Sequence, residues 1–189
     1  MRRVLPIVRF SLIILLLTAL ACPALSEDIN TLTKKAKDGD PEAQYNLGIA
    51  LSSKDLPWPG DFQLAMEWLH KAAEQGHIKA QFALGNIFTE GKITPQDYAE
   101  GVKWYRKAAE QGNVGAQYNL GLHYYDGKGV PQDYVLAYFW TSLSASRSTG
   151  DDYNKSVKYR DEAAKKLTNE QLLKAQKMTR EWEAKHPRK

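Results

Sequence analysis

The strongest constraint on the fold is that the chain repeats itself. Three blocks align without gaps: AKDGDPEAQYNLG over residues 36–48, AEQGHIKAQFALG over 73–85 and AEQGNVGAQYNLG over 109–121. Their Leu-Gly pairs, at 47/48, 84/85 and 120/121, lie 37 and 36 residues apart. Asp-aromatic pairs follow at Asp61-Phe62, Asp97-Tyr98 and Asp133-Tyr134, and Trp68, Trp104 and Trp140 keep the spacing of 36. A unit of this length buries too little apolar surface alone, so the units must stack into one continuous core.

Each unit reads as two helices. In helix A of the first unit, Ala43, Leu47 and Ala50 recur at helical spacing, and Pro41 sits just inside the start, where its missing N–H costs nothing. Gly48, Gly85 and Gly121 fall inside the helical pattern, although a mid-helix Gly costs about 1 kcal/mol against Ala. Three at one register predict close approach of helix B. Helix B is predicted to start near Asp61, Asp97 and Asp133, whose carboxylates can cap free N–H groups. Its apolar stripe is Ala65, Trp68, Leu69 and Ala72 in the first unit and Val102, Tyr105, Ala108 and Ala109 in the second. Gly76 and Gly112 are expected to end it.

The combined pattern, A-x-x-G-x3-A-Q-Y/F-x-L-G, then G-x-G-V-x-x-D-Y, then W-x-x-K-A-A-x-x-G, resembles Sel1-like repeats, relatives of the tetratricopeptide repeat. Residues 126–134, DGKGVPQDY, carry the loop part, and the resemblance spans about residues 33–147. It implies an all-α fold: a right-handed α/α solenoid of three repeats within 33–150, at about 36–76, 73–112 and 109–150. Two departures stand out. The first unit has SSKDLPWPG (52–60) in place of the Gly-rich loop, with Trp58 either a contact or a plug, and the third reads TSLSA (141–145) after Trp140. Residues 151–186 are expected to form a helical cap. One helix would run from Asp151 to Leu167 with Val157, Ala164 and Leu167 inward. Another would open on the capping box Thr168-Asn169-Glu170-Gln171, with Leu172, Leu173, Ala175, Gln176 and Trp182 as its partial apolar face.

Chemistry-bearing patterns are sparse. Glu74 and Glu110 recur at a helix end as part of the repeat, which is a structural rather than an acid–base placement. His70, His77, His123 and His186 show no metal-ligand spacing, and no Walker, dinucleotide or G-x-S-x-G motif occurs. No cofactor is expected. Some Sel1-like proteins are cysteine-rich and linked to penicillin binding or β-lactamase activity, but their paired cysteines are missing here. The expected function is therefore a non-enzymatic adaptor or regulator. The alternatives are a hydrolase acting on cell wall or β-lactam, and an outer-membrane lipoprotein scaffold.

Counted from the Leu-Gly landmark, the concave side of such a solenoid should carry Tyr45, Ile49 and Ser52; Phe82, Asn86 and Thr89; and Tyr118, Leu122 and Tyr125. Its expected partner is another protein, gripped as a peptide or helix along the aromatic ladder Tyr45–Phe82–Tyr118. The alternative is that these aromatics pack between successive A helices.

Residues 1–26 read as an export signal: Arg2, Arg3 and Arg9 precede a twelve-residue apolar run, FSLIILLLTALA, at 10–21. A membrane span needs about 20 apolar residues. Cleavage after Ala24-Leu25-Ser26 and lipidation of Cys22 after Ala19-Leu20-Ala21 both fit, so a periplasmic or secreted protein is expected, without an integral span. The signal also explains the net charge of +4. Without it, 23 basic face 22 acidic side chains, divided as 13 against 17 over residues 27–157 and 10 against 5 over 158–189. That mildly acidic repeat body excludes nucleic acid as a partner of the array.

Overall fold

The computed structural model describes residues 23–52, 62–92 and 94–187. The expectations for residues 1–22, including Cys22, and for Trp58 and Asp61 lie outside the described residues. Among the described residues the fold is all-α: α1 Pro23–Lys37, α2 Pro41–Ser52, α3 Phe62–Glu74, α4 Ile78–Glu90, α5 Tyr98–Glu110, α6 Val114–Asp126, α7 Tyr134–Arg147, α8 Gly150–Ala164 and α9 Asn169–Lys185. Two units meet within α3, at residues 68 and 69.

In the first unit, α1 packs on α2. Ala36, Ala43, Leu47 and Trp68 form the core, with Leu32, Leu51 and Leu64 against it. The chain through α1 is helical across the expected processing point after Ser26.

In the second unit α4, α5, α6 and α7 pack in sequence, and α8 and α9 both pack on α7. The core comes from one stripe of each helix: Val102, Tyr105, Ala108 and Ala109 of α5, Ala116, Leu120 and Tyr124 of α6, and Ala137, Phe139, Trp140 and Leu143 of α7. Successive repeats are joined by one recurring turn. Gly112, at φ 88°, donates to the Ala109 carbonyl at 2.9 Å, and Asn113 N–H reaches back to Ala108 at 3.0 Å. This closes α5 through a left-handed residue that suits glycine. Asn113 then caps α6, its Oδ1 accepting from Ala116 N–H at 2.8 Å. Asp40 and His77 do the same at the equivalent positions, accepting from Ala43 at 2.7 Å and Ala80 at 3.2 Å. At the B helices Asp97 caps α5 through Glu100 N–H at 2.9 Å, and Asp133 caps α7 through Val135 and Leu136 at 2.8 and 3.0 Å.

Gly85 and Gly121 have the expected steric cause. A Cβ on Gly121 would lie 2.6 Å from Thr141 Cγ2, 3.2 Å from Thr141 N and 3.3 Å from the Ala137 carbonyl oxygen. At Gly85 the Tyr105 ring fills that space.

Two expectations for the C-terminal helices need correction. The buried face of α8 is Ser156 and Ala163, and Val157, Ala164 and Leu167 are only half-buried. Ser156 can be buried because its hydroxyl donates to the Asp152 carbonyl at 2.8 Å and lies 3.0 Å from Ser144 Oγ. On α9 the capping box forms and Ala175 is fully buried, but Leu173 is 63% exposed. The helix packs on α7, and Leu173 falls on its other side.

Candidate partner-binding face

The A helices α4 and α6 place the expected contact residues along one face of the second unit. Asn86 sits at the centre. Its Oδ1 accepts from the Tyr105 hydroxyl at 2.8 Å and from Asn119 Nδ2 at 3.4 Å. Thr89 Oγ1 lies 3.0 Å from the same Tyr105 oxygen and donates back to the Gly85 carbonyl at 2.9 Å. Burial pushes the Tyr105 phenol up, so it stays a neutral donor. His123 completes the strip. Its ring lies 5.7 Å from both Tyr98 and Tyr105, and its Nδ1 is 2.8 Å from the Lys128 carbonyl. Nδ1 therefore carries the hydrogen, and burial lowers the imidazole's pKa from its ordinary value.

The aromatics at the expected positions are engaged with neighbouring helices. Phe82 is half-buried, with its ring 6.0 Å from Tyr105 and its tip over Gly115 of α6. Tyr118 meets Tyr159 of α8 edge-on at 6.0 Å, and burial raises its phenol pKa. Tyr125 meets Tyr134 at 5.4 Å and Tyr159 at 5.9 Å. The structure thus brings Asn86 and Thr89 into one polar strip and Tyr118 and Tyr125 into one aromatic cluster, which α8 partly covers. Leu122 is half-buried on α6. In the first unit Tyr45 is half-buried and Ile49 is 41% exposed on α2.

Several residues that shape this face carried no functional reading in the sequence. Tyr105, Asn119 and Tyr159 orient the groups above. Gln44, Gln81 and Gln117 are buried and clamp each A helix to the helix before it, donating to the carbonyls of Ala36, Ala73 and Ala109 at 3.0, 3.0 and 3.2 Å. Their signal was visible as a glutamine at one register in all three units. The strip offers amides, hydroxyls and aromatic edges, which suit recognition of a polypeptide. Among the described residues no three His, Cys, Asp or Glu side chains are grouped to hold a metal ion, and no helix is long and apolar enough to cross a membrane.

The helix pairs, joined by identical turns and clamped by a recurring glutamine, define an all-α repeat protein. A family model for the Sel1 repeat matches residues 41–77, 78–113 and 114–148, and the chain belongs to that family. Sel1 repeats generally mediate protein–protein interaction, and the scaffold is typically non-enzymatic. Three of the solved structures similar to this chain are as follows. A protective antigen present in uropathogenic Escherichia coli strains is 38% identical at a TM-score of 0.71, covering 84% of this chain. This chain spans only 33% of that antigen's length. A Sel1 repeat protein from Oxalobacter formigenes is 32% identical, with TM-score 0.63, covering 69% of this chain and 98% of its own. Cysteine-rich protein B of Helicobacter pylori, 20% identical with TM-score 0.54, covers 67% of this chain and 93% of its own and shares the fold. No curated protein matched the sequence.

Proposed function

We propose that this protein is an exported adaptor of the cell envelope or the extracellular space, binding an extended segment of a partner protein along the face of α4 and α6. The observation that carries this reading is the posture of Asn86. Its carbonyl oxygen is held by Tyr105 and Asn119, which aims the amide group and leaves both Nδ2 hydrogens without a hydrogen-bond partner. An oriented amide donor between aromatic side chains suits a peptide carbonyl, because its ordering cost is already met by intramolecular bonds. The basic and apolar pattern of residues 1–26 supports export.

Asn86→Asp tests the reading selectively. It keeps the acceptor for Tyr105 and Asn119 and removes the two donors. Proximity labelling in the native host is expected to recover a partner set from the unaltered protein that Asn86→Asp and Tyr125→Ala each deplete, with the melting temperature of Asn86→Asp preserved. An unchanged set with both variants would remove this face from the function. Retention of the protein in the cytosolic fraction would remove export.

A further inference from the structure

A second site lies at the other end of the unit from α4. A cleft of about 520 Å³ opens where the first turn of α7 meets the α8–α9 turn and α9. That volume accommodates a few side chains of a ligand. Its apolar lining is Val135, Leu136, Leu167 and Met178, all half-buried, with Leu136 and Met178 also packed on the core. Lys166 and Lys174 are exposed at its edge.

Neither lysine is held in a direct contact with an acid, although Lys166 lies near enough to Glu162 to help lower that carboxyl's pKa. Lys165 pairs with Glu162 at 2.7 Å and Lys177 with Glu181 at 3.8 Å, whereas Lys166 and Lys174 have neither a hydrogen bond nor an ion pair. Asp133 is the acid among the described lining residues; its Oδ1 accepts from two backbone N–H groups of α7, and the two lysines outnumber its single charge. The cleft is therefore positive over an apolar floor. Around it, residues 158–189 hold 10 basic against 5 acidic side chains, while residues 27–157 hold 13 against 17. Opposite charge is drawn to this end of the sequence, and the apolar floor favours a ligand that also has hydrocarbon to bury.

We propose that this cleft docks an acidic segment of a partner protein in which carboxylates flank an apolar side chain. The apolar side chain enters between Leu167 and Met178, and the carboxylates meet Lys166 and Lys174. A bare anion would leave the floor unused. A nucleic acid would want an open aromatic platform, and Tyr134, the aromatic residue of the lining, is already stacked edge-on against Tyr125 at 5.4 Å. This site is separate from Asn86, so the two readings stand or fall independently.

The test is an amide-shift titration of the isotope-labelled protein with a blocked hexapeptide of alternating Glu and Leu. The Lys and Leu counterpart and inorganic phosphate serve as controls. The expected result is shifts at Val135, Leu136, Leu167, Lys174 and Met178 with the acidic peptide alone, and weaker binding as salt rises. The pair Lys166→Glu, Lys174→Glu should bind roughly tenfold more weakly, with Lys166→Gln, Lys174→Gln in between. The proposal is overturned if the acidic peptide shifts nothing or shifts other residues, or if the basic peptide binds equally. It is also overturned if phosphate alone gives the same shifts and affinity, or if charge reversal changes affinity by less than about twofold.

Discussion

Replacing Gly121 by alanine separates helix propensity from helix packing, because the two predict opposite signs. In an isolated helix the change would add about 1 kcal/mol of stability. In this structure the new Cβ would fall 2.6 Å from Thr141 Cγ2, about 1 Å inside ordinary carbon contact, and 3.2–3.3 Å from backbone atoms of α7. Thr141 cannot rotate away freely, since its hydroxyl donates to the Ala137 carbonyl at 2.7 Å. The backbone contacts force α6 and α7 apart by a few tenths of an ångström. Overpacking of this kind costs roughly 1–3 kcal/mol, and with the loss of close packing along the α6–α7 seam we expect a net destabilisation of about 2 kcal/mol. For a protein of this size that lowers the melting temperature by about 4–8 °C, measured by circular dichroism. Gly115→Ala is the internal control. The nearest contacts of its Cβ are side-chain atoms alone, the half-buried Phe82 ring at 2.9 and 3.2 Å and Asn113 Oδ1 at 3.5 Å, with no neighbouring backbone among them, so that variant should melt within about 2 °C of the parent. Adding Thr141→Ser to Gly121→Ala removes the worst contact and should recover part of the loss. A Gly121→Ala protein that melts higher than the parent, or a Gly115→Ala protein that loses as much, would refute the close-approach argument.

Two further outcomes follow from single groups. Burial lowers the His123 pKa below its ordinary value of 6.5, so the unfolded chain takes up the proton first. Stability is intact above that value and is lost as pH falls through the folded pKa, so melting temperature should drop more steeply from pH 7.5 to 5.5 in the parent than in His123→Gln, and equal slopes would sink the assignment. Thr168→Ala removes the side-chain arm of the α9 capping box, the Oγ1 that accepts from Gln171 N–H at 3.3 Å, and leaves the return bond from the backbone N–H of residue 168 to Gln171 Oε1 at 2.9 Å. It should cost about 1 kcal/mol, seen as faster amide exchange in the first turns of α9 with α4 to α6 unchanged.

How much of this was legible depended on whether a residue's partner lies at a fixed offset. The caps Asp97 and Asp133, the chain-reversing Gly76 and Gly112 and the stripe Val102, Tyr105, Ala108, Ala109 all act at such offsets, and the 36-residue period displayed each of them more than once. Single-copy features were harder. In α8 the buried face is set by Ser156 and Ala163, one position before the apolar Val157 and Ala164. Periodicity ranks valine over serine, but the Ser144 and Asp152 partners of Ser156 appear only once α7 is in place. Leu173 misled for a related reason, because α9 packs on α7 and the face it buries is chosen by that neighbour.

The candidate site shows the same limit from the functional side. Spacing put Asn86, Thr89, Tyr118 and Tyr125 on one helical face, yet it could not say which of their atoms remain free after folding. Thr89 is spent within the protein, its hydroxyl shared between Gly85 and Tyr105. Tyr118 and Tyr125 spend ring edges on Tyr159, which arrives from the cap rather than from a repeat. Asn86 is different, because the bonds it makes use only its oxygen. The repeats therefore carry a shared packing code in Gly, Gln and Trp, while recognition falls to positions where one half of a side chain is fixed and the other half is left over. By that criterion Lys166 and Lys174 belong with Asn86. Each keeps a donor that no hydrogen bond or ion pair of the folded protein takes up.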